Sequence, residues 1–352
     1  MGFRVMFPIA AAALFLAGCA SGIAQESRYD PSKYHHTETG FQNPPGSLKR
    51  TIEPARFFRF VSRRLTEEFD TSTIPPNHVV PYEEAKAQLA ATPNLRMTWI
   101  NHATFLITLG GVNVLTDPFF SERASPVAFA GPKRYVPPGL KIEDLPPIDV
   151  ILISHNHYDA YDIPSLQALA ARKADTLVLV PLGLGELTRR AGLANVKEVD
   201  WYDETTVGGV KLTSTPTIHW SRRTLGDTNE SLWNGFMIEG AGKKIWFVGD
   251  TGFGPVFESE VAPRVGPADI AIIPIGAFLP RDFMRPMHTN PAEALRLAKI
   301  IGARTAVPMH WGTLPLGEDT PKDGLAAFAA ANEKGVAKRI MRIGETVDLD
   351  RL

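Results

Sequence analysis

The sequence predicts a layered α/β protein, and three observations support this fold class. Short runs rich in β-branched and aromatic residues recur from Leu95 onward, and Gly, Pro or Asp bounds them. Helical segments separate the later runs, so that strands and helices occur in both halves of the chain. The 352 residues are 44% hydrophobic and 21% charged, which is enough apolar material for a sizeable core.

The first residues have the features of a targeting segment rather than of a folded element. Arg4 supplies a positive charge, and the apolar run at 5–16 is too short to span a bilayer as a mature helix. The run ends in L-A-G-C at 16–19, which resembles a bacterial lipoprotein signal. We therefore expect a signal peptide over residues 1–18 and a lipid anchor at Cys19. An ordinary secretory signal with an accidental cysteine is the alternative.

The residues that follow predict the location of the protein. Cys19 is the only cysteine, so neither disulfides nor cysteine catalysis are expected after processing. Its neighbour is Ala20, which favours the outer membrane of a bacterial cell envelope, facing the periplasm. Residues 19–50 are polar with scattered Pro, Gly and Ser, and they predict a flexible tether in which His35 and His36 are solvated.

The folded domain is predicted over residues 51–352, and its elements follow in order. Helical spacing of apolar residues indicates helices over 55–69 and 82–91. Strands are predicted at 97–100, 104–109, 112–115, 150–153, 177–180, 210–213, 236–238, 245–248, 270–275 and 305–307. The dipeptide Gly110-Gly111 predicts a tight hairpin between two of them. Further helices are predicted at 182–190, 255–261, 291–301 and 322–333.

The charge balance bears on the kind of partner. The formal net charge is -1, so no strongly basic face is implied and nucleic acid is not an expected partner. The oligomeric state does not follow from the sequence.

Side chains that bind metals follow the ends of predicted strands. These residues are Asp117, His155, His157, Asp159, His219, Asp250 and His310. Strand ends meet at an edge of a sheet, where loops can gather ligands. Alternate residues of extended chain share a face, so the H-x-H pair at 155–157 can present both imidazoles to one ion. Each residue alone has an ordinary structural explanation, but their joint order favours a metal site.

This order of motifs resembles the metallo-β-lactamase superfamily. The more specific resemblance is to the N-acylphosphatidylethanolamine-hydrolysing phospholipase D group and its bacterial relatives, over about residues 40–350. The matching segments are N-H-A-T-F-L-I at 101–107, T-D-P-F-F-S at 116–121, G-P-K-R-Y at 131–135, S-H-N-H-Y-D at 154–159, T-P-T-I-H-W-S at 215–221, L-W-N-G-F at 232–236, V-G-D-T-G at 248–252, I-P-I-G-A-F at 273–278, M-H-T-N-P at 287–291 and M-H-W-G-T at 309–313. The resemblance implies a four-layered αββα sandwich.

The resemblance also implies roles for the site residues. His155, His157 and His219 would bind a first zinc ion. Asp250 would bridge two metals, and Asp159 and His310 would bind the second. Asp159, Asp250 and His288 are the expected catalytic residues, with His288 at the border of the substrate pocket. Asp117 and His102 are expected to support the ligands from behind, since a metal-binding imidazole usually donates its other N–H group.

Position 160 departs from the pattern of the family. The family has a histidine directly after the aspartate of H-x-H-x-D, but this chain has Ala160, which offers no donor atom. We therefore expect one tight zinc site and a second, weaker site for Zn²⁺ or Mn²⁺. Compensation by another side chain, for instance Tyr161 or Asp162, and a crippled enzyme are the open alternatives.

The implied activity is metal-dependent hydrolysis. A zinc-held hydroxide would attack a phosphodiester such as an N-acylated or other phospholipid. Four arginines near the motifs are candidates to offset the phosphate charge: Arg222, Arg223, Arg281 and Arg285. The alternatives are a lactonase or sugar-phosphate hydrolase of the same superfamily, and a non-catalytic metal-binding envelope protein.

Overall fold

The computed structural model describes residues 29–51, 53, 56, 62, 70–92 and 94–352. The expected signal peptide over 1–18, the anchor at Cys19 and nearly all of the helix predicted at 55–69 lie outside these residues. Within the described part, no helix combines the length and the apolar character needed to cross a membrane.

The strands are short and mostly buried. They are β1 His36–Thr37, β2 Gly40–Phe41, β3 Leu95–Asn101, β4 Thr104–Leu109, β5 Val112–Thr116, β6 Val150–Leu152, β7 Leu177–Pro181, β8 Val196–Val199, β9 Glu204–Val207, β10 Val210–Pro216, β11 Asn234–Gly240, β12 Lys243–Phe247, β13 Ile270–Pro274, β14 Thr305–Met309, β15 Ala337–Lys338 and β16 Thr346–Asp348. The helices are α1 Tyr82–Ala91, α2 Ile163–Arg172, α3 Gly185–Arg190, α4 Ala262–Val265, α5 Arg281–Met284, α6 Pro291–Ile300 and α7 Pro321–Ala330.

Most of the strands form two sheets. The first has the order β16-β3-β4-β5-β6-β7-β8, and the second has the order β15-β14-β13-β12-β11-β10-β9. In each sheet an antiparallel half leads into a parallel half, which comprises β5 to β8 in the first sheet and β12 to β15 in the second. The Gly110-Gly111 turn joins β4 to β5 as predicted, and both glycines have positive φ.

The two sheets pack face to face, with helices on their outer faces. Trp99 and Phe105 of the first sheet share one core with Phe236 and Trp246 of the second. Helix α2 covers the outer face of the first sheet in a separate apolar cluster, and α6 packs on β13 and β14 of the second. Strands buried on both faces read as continuous apolar runs, as β6 and β13 do. The predicted four-layered αββα sandwich is confirmed.

The N-terminal segment differs from the flexible tether expected over residues 19–50. His35, His36 and Phe41 are buried, and β1 pairs with β2 in a small hairpin. Asn43 exchanges hydrogen bonds with the backbone of His219. The two histidines are therefore not solvated, and from residue 29 onward the segment is part of the folded body. The polar composition of the segment does not indicate this packing, because the stabilising contacts are with residues far along the chain.

Candidate metal centre

Strand ends and one turn bring the predicted residues together at a single edge of the sandwich. Asp117 follows β5, His155 to Asp159 follow β6, His219 follows β10, Asp250 follows β12 and His310 follows β14, while His102 occupies the turn between β3 and β4. The side chains of the predicted site residues are buried, except for the half-buried His157: His102, Asp117, His155, Asp159, His219, Asp250 and His310.

Three of these residues adopt a left-handed backbone conformation. The φ angles are +42° at His102, +31° at Asp117 and +61° at His310. Such conformations cost about 1–3 kcal/mol for a residue with a side chain, and they persist where the surrounding contacts fix them. At His102 the contacts are a hydrogen bond from its N–H to Thr313 Oγ1 and one from the His310 N–H to its carbonyl oxygen. The fold thus holds strained backbone at this site.

The first cluster consists of three imidazoles. His155 Nδ1 donates to Ser154 Oγ at 2.8 Å, because the Ser154 hydroxyl itself donates to Asp117. His219 Nδ1 donates to the carbonyl oxygen of Met287 at 2.9 Å. Both histidines therefore keep a lone pair on Nε2, the tautomer that a metal ligand needs.

Those lone pairs converge. His219 Nε2 lies 3.1 Å from His157 Nδ1, and the buried His155 Nε2 has no hydrogen-bond partner among the described residues. One ligand atom from each of the three side chains lies within 4.8 Å of the others. A single cation bound by three neutral nitrogens fits this arrangement, as the sequence predicts.

The second cluster combines carboxylates with imidazoles. His310 Nε2 lies 3.2 Å from Asp159 Oδ2 and 3.1 Å from Asp250 Oδ2. Asp250 Oδ2 is also 3.8 Å from His155 Nε2 and 3.8 Å from His219 Nε2. Asp250 therefore faces both clusters, which is the position expected of a bridging carboxylate.

Burial and the neighbouring charges set the protonation states of these groups, on which cation binding depends. Burial, together with the neighbouring His155, lowers the pKa of His157 to about 3, and burial lowers the pKa of His288 to about 4, so both imidazoles are neutral near pH 7. Burial would also lower the pKa of His310, but the carboxylates of Asp250 and Asp159 raise it to about 10. A bound cation would displace that proton, since a ligating imidazole is neutral.

Neither residue proposed to compensate for Ala160 reaches the centre. The Tyr161 hydroxyl hydrogen-bonds Thr188 Oγ1 at 2.8 Å. The Asp162 carboxylate accepts hydrogen bonds from Ser121 and from the hydroxyl of Ser165. Both side chains are thus committed to other parts of the fold. His102, expected to act from behind the ligands, has its Nε2 3.1 Å from Asp159 Oδ2.

A cavity of about 220 Å³ opens beside the centre. His157, Asp159, Asp250 and His288 line one side of it. An apolar cluster lines the rest, made of Trp220, Ala277, Phe283, Met284, Met287 and Leu316. His288 Nδ1 is buried and has no hydrogen-bond partner in the described part of the chain. His288 therefore borders the cavity, where the sequence predicts it.

Two arginines complete the lining of the cavity. Arg50 stacks on Trp220, with its guanidinium carbon 3.6 Å from the ring centroid, and Arg222 lies on the same cavity. Burial and the charge of Arg222 lower the pKa of Arg50 to about 10, which leaves it charged at neutral pH. Sequence reasoning placed Arg50 at the end of the tether and missed it, because only the fold brings it to Trp220.

The other candidate arginines have structural partners. Arg223 donates to the carbonyl oxygens of Asn156 and Tyr161. Arg281 donates to the Glu293 carboxylate, and Arg285 lies 3.7 Å from it. Of the four arginines named from the sequence, Arg222 alone lines the cavity.

Comparison with known proteins agrees with this geometry. A family model described as a β-lactamase superfamily domain matches residues 112–311, more than half of the chain. The chain belongs to the metallo-β-lactamase superfamily. This superfamily member is 39% identical over 249 residues to N-acyl-phosphatidylethanolamine-hydrolyzing phospholipase D 1 of Caenorhabditis elegans, covering 67% of this chain and 70% of that protein. The resemblance read from the motifs is confirmed.

A further relative supports a metal-dependent hydrolase, and a solved structure supports the fold. A metal-dependent hydrolase of Rubrobacter xylanophilus is 32% identical over 237 residues, covering 65% of this chain and 86% of that protein. The crystal structure of a possible metal-dependent hydrolase from Veillonella parvula matches with a TM-score of 0.59 at 20% identity, covering 73% of this chain and 100% of that one; at this identity it shows the fold alone. This superfamily member is a metal-dependent hydrolase.

Proposed function

We propose that this enzyme hydrolyses the phosphodiester of a phospholipid in the manner of a phospholipase D, with an N-acylated phosphatidylethanolamine as the substrate. One observation carries the proposal. The Arg50 guanidinium lies in the same cavity as the metal-binding groups and the apolar cluster, and no described carboxylate pairs with it. A half-buried cation without an acidic partner favours an anionic ligand.

The cavity lining matches the three parts of such a substrate. The carboxylates and imidazoles face the phosphodiester, and Arg50 and Arg222 offset its charge. The apolar cluster offers Phe283 and Met284 to an acyl chain. A phosphodiester joined to long apolar chains uses all three surfaces, whereas a small sugar phosphate leaves the apolar one unused.

The chemistry requires one water molecule. Its oxygen bonds to phosphorus, the P–O bond to the headgroup alcohol breaks, and the proton lost by the water is balanced by the one that the alcohol gains. The products are phosphatidic acid and an N-acylethanolamine. A zinc ion, when bound, supplies a water of lowered pKa and polarises a phosphoryl oxygen.

The side chains of the centre hold the reacting groups. Asp159 and Asp250 present carboxylate oxygens to the cavity, where they orient the proton of the attacking water. His288 lines the cavity, where its imidazole would hydrogen-bond a substrate oxygen. The apolar cluster excludes bulk water from the far side of the cavity.

The path of the N-terminal segment supports a membrane substrate. Asn43 contacts His219 and Arg50 lines the cavity, so residues 43–50 run beside the metal centre. A lipid anchor at Cys19 in the cell envelope is part of this proposal, because it would hold the cavity near a lipid surface.

The test is an assay of purified enzyme loaded with Zn²⁺ or Mn²⁺. The substrates are N-acylphosphatidylethanolamine in vesicles, a water-soluble phosphodiester and a lactone. We expect phosphatidic acid and N-acylethanolamine by mass spectrometry, with ¹⁸O from labelled water in the phosphate product. Chelation and His155→Ala should both abolish turnover. Turnover of the lactone without turnover of either phosphodiester would contradict the proposal.

A further inference from the structure

The second cluster contains one more donor than the sequence predicts. Asp159 Oδ2 lies 3.1 Å from His102 Nε2 and 3.2 Å from His310 Nε2. The two imidazole rings are adjacent, with centroids 4.1 Å apart. His102, Asp159 and His310 offer ligand atoms that all lie within 4.8 Å of one another.

We propose that the Nε2 atom of His102 binds the second metal ion and replaces the imidazole that Ala160 cannot supply. With the oxygen atoms of Asp159 and Asp250 and the nitrogen of His310, this gives the second site four protein donors. A zinc ion can be bound by three protein donors and an open position, and a fourth protein donor makes the second site tighter than the three that the sequence predicts. The inference does not depend on which ester the enzyme hydrolyses.

The surroundings of His102 match those of the predicted ligand His310. The Nδ1 atom of each ring is buried and has no hydrogen-bond partner within the described residues. The Nε2 atom of each ring faces Asp159 Oδ2, at 3.1 Å for His102 and 3.2 Å for His310. The side chain of His102 is 1% exposed. The described charged and titratable groups that act on its ring are Asp159, Asp250 and His310, which all belong to the second cluster.

The backbone at His102 fixes the direction of the ring. Its left-handed φ of +42° is held by the hydrogen bond to Thr313 and by two bonds to its carbonyl oxygen, from Trp99 Nε1 and the His310 N–H. The last of these bonds joins the backbone of His102 directly to that of His310. The same backbone link therefore positions two imidazoles against Asp159.

The inference changes the expected metal content. The sequence predicts one tight ion and a weak second site, but a second site completed by His102 predicts two tight ions. The probe is Co²⁺, added to the full folded protein after chelation and removal of free metal. We expect two ions per chain, and five exchangeable imidazole N–H signals shifted by Co²⁺ in the proton NMR spectrum, from His102, His155, His157, His219 and His310.

The variant His102→Ala separates the two roles. Loss of a ligand should remove one ion and two shifted N–H signals, those of His102 and His310, with a loss of affinity at the second site greater than the roughly 10–100-fold that follows removal of a supporting residue. The matched control is His78→Ala, which removes a buried imidazole whose one described hydrogen bond is to the Gly312 carbonyl oxygen. It should keep two ions and five signals.

Several results would overturn the inference. These are a single tight ion in the wild-type protein, four shifted signals instead of five, or two tight ions in His102→Ala. The count of signals in the wild-type protein needs no variant, so the test stands even if His102→Ala does not fold. A failure of phosphodiester hydrolysis would leave these metal counts unchanged and would contradict the proposed function alone.

Discussion

Asp117 reaches His155 through the hydroxyl group of Ser154. The Ser154 hydroxyl donates to Asp117 Oδ2 at 2.6 Å, and the Ser154 N–H donates to Asp117 Oδ1 at 2.7 Å. The hydroxyl oxygen in turn accepts the His155 Nδ1–H at 2.8 Å. The carboxylate therefore fixes the tautomer and the ring direction of a candidate ligand that it does not touch.

This series of hydrogen bonds predicts that Ser154 controls the metal affinity of the first site. Ser154→Ala removes the acceptor of the His155 N–H, so the ring loses its orientation. We expect the affinity of the first site to fall about 10–100-fold, as is usual for partners of metal ligands. Competition with a chromogenic chelator measures it. Ser231→Ala is the control, because Ser231 Oγ is buried without a hydrogen-bond partner in the described structure, and equal affinities in the two variants would refute the role of Ser154.

The ligand residues were predictable from the sequence, for a physical reason. Parallel strands carry the residues that follow them to one edge of the sheet, so His155, Asp250 and His310 meet even though they are distant in the chain. The strands themselves are apolar runs, which a sequence displays directly. The edge strand Ala337–Lys338 was not predicted, because it is exposed and two residues long.

Other features depend on tertiary contacts that leave no local pattern. Helix α2 is not among the predicted helices, although the proline in its first turn is a local signal that a sequence displays. Arg50 meets Trp220 across 170 positions of the chain, as the numbering shows, and nothing near Arg50 indicates this. The position of His102 beside Asp159 depends on how the β3–β4 turn meets the loop after β6.

The stacked arginine predicts a specific effect on substrate binding. Arg50→Met keeps apolar contact with Trp220 but removes the charge. We expect kcat/KM for phosphodiesters to fall about 10–100-fold, the value of a lost hydrogen bond to a charged group. Inhibition by inorganic phosphate should weaken in parallel. Arg285→Met is the matched control, since its side chain is 62% exposed and faces Glu293. Identical kinetics in the two variants would exclude Arg50 from phosphate binding.

The apolar cluster predicts a dependence on acyl length. Met284→Ala removes apolar surface from the cavity wall. We expect about a tenfold loss of kcat/KM for long-chain substrates, in line with about 1.5 kcal/mol for the apolar surface that an acyl chain buries against Met284. A water-soluble phosphodiester should be cleaved at the wild-type rate. Met341→Ala, a buried core methionine outside the cavity, should not change the ratio between the two substrates. If Met284→Ala also keeps the wild-type ratio between the two substrates, Met284 does not line an acyl site.

The hydrogen bonds of Asp200 hold the N-terminal segment to the folded body. Its Oδ1 accepts from His35 Nε2 at 2.6 Å, and its Oδ2 accepts from Lys33 at 2.6 Å and from His36 Nε2 at 2.9 Å. Replacing Asp200 with Asn leaves these donors without a carboxylate. We expect the free energy of unfolding to fall by about 2 kcal/mol at pH 7, the usual scale for lost hydrogen bonds to a charged group, because Lys33 is 41% exposed and its pairing is partly screened by solvent. Urea denaturation at fixed excess metal measures it, and the exposed Asp175→Asn is the control.

The loss of stability in Asp200→Asn should depend on pH in a definite direction. Burial would raise the pKa of Asp200, but the hydrogen bonds from His35 and Lys33 outweigh it and hold the pKa well below its usual range. A carboxylate with a depressed folded pKa stabilises the protein above its unfolded pKa of about 3.9, and loses this contribution as the pH falls toward the folded value. The difference between wild type and Asp200→Asn should therefore shrink as the pH falls below about 4. A difference that does not shrink there would show that the carboxylate is not the group that anchors the segment.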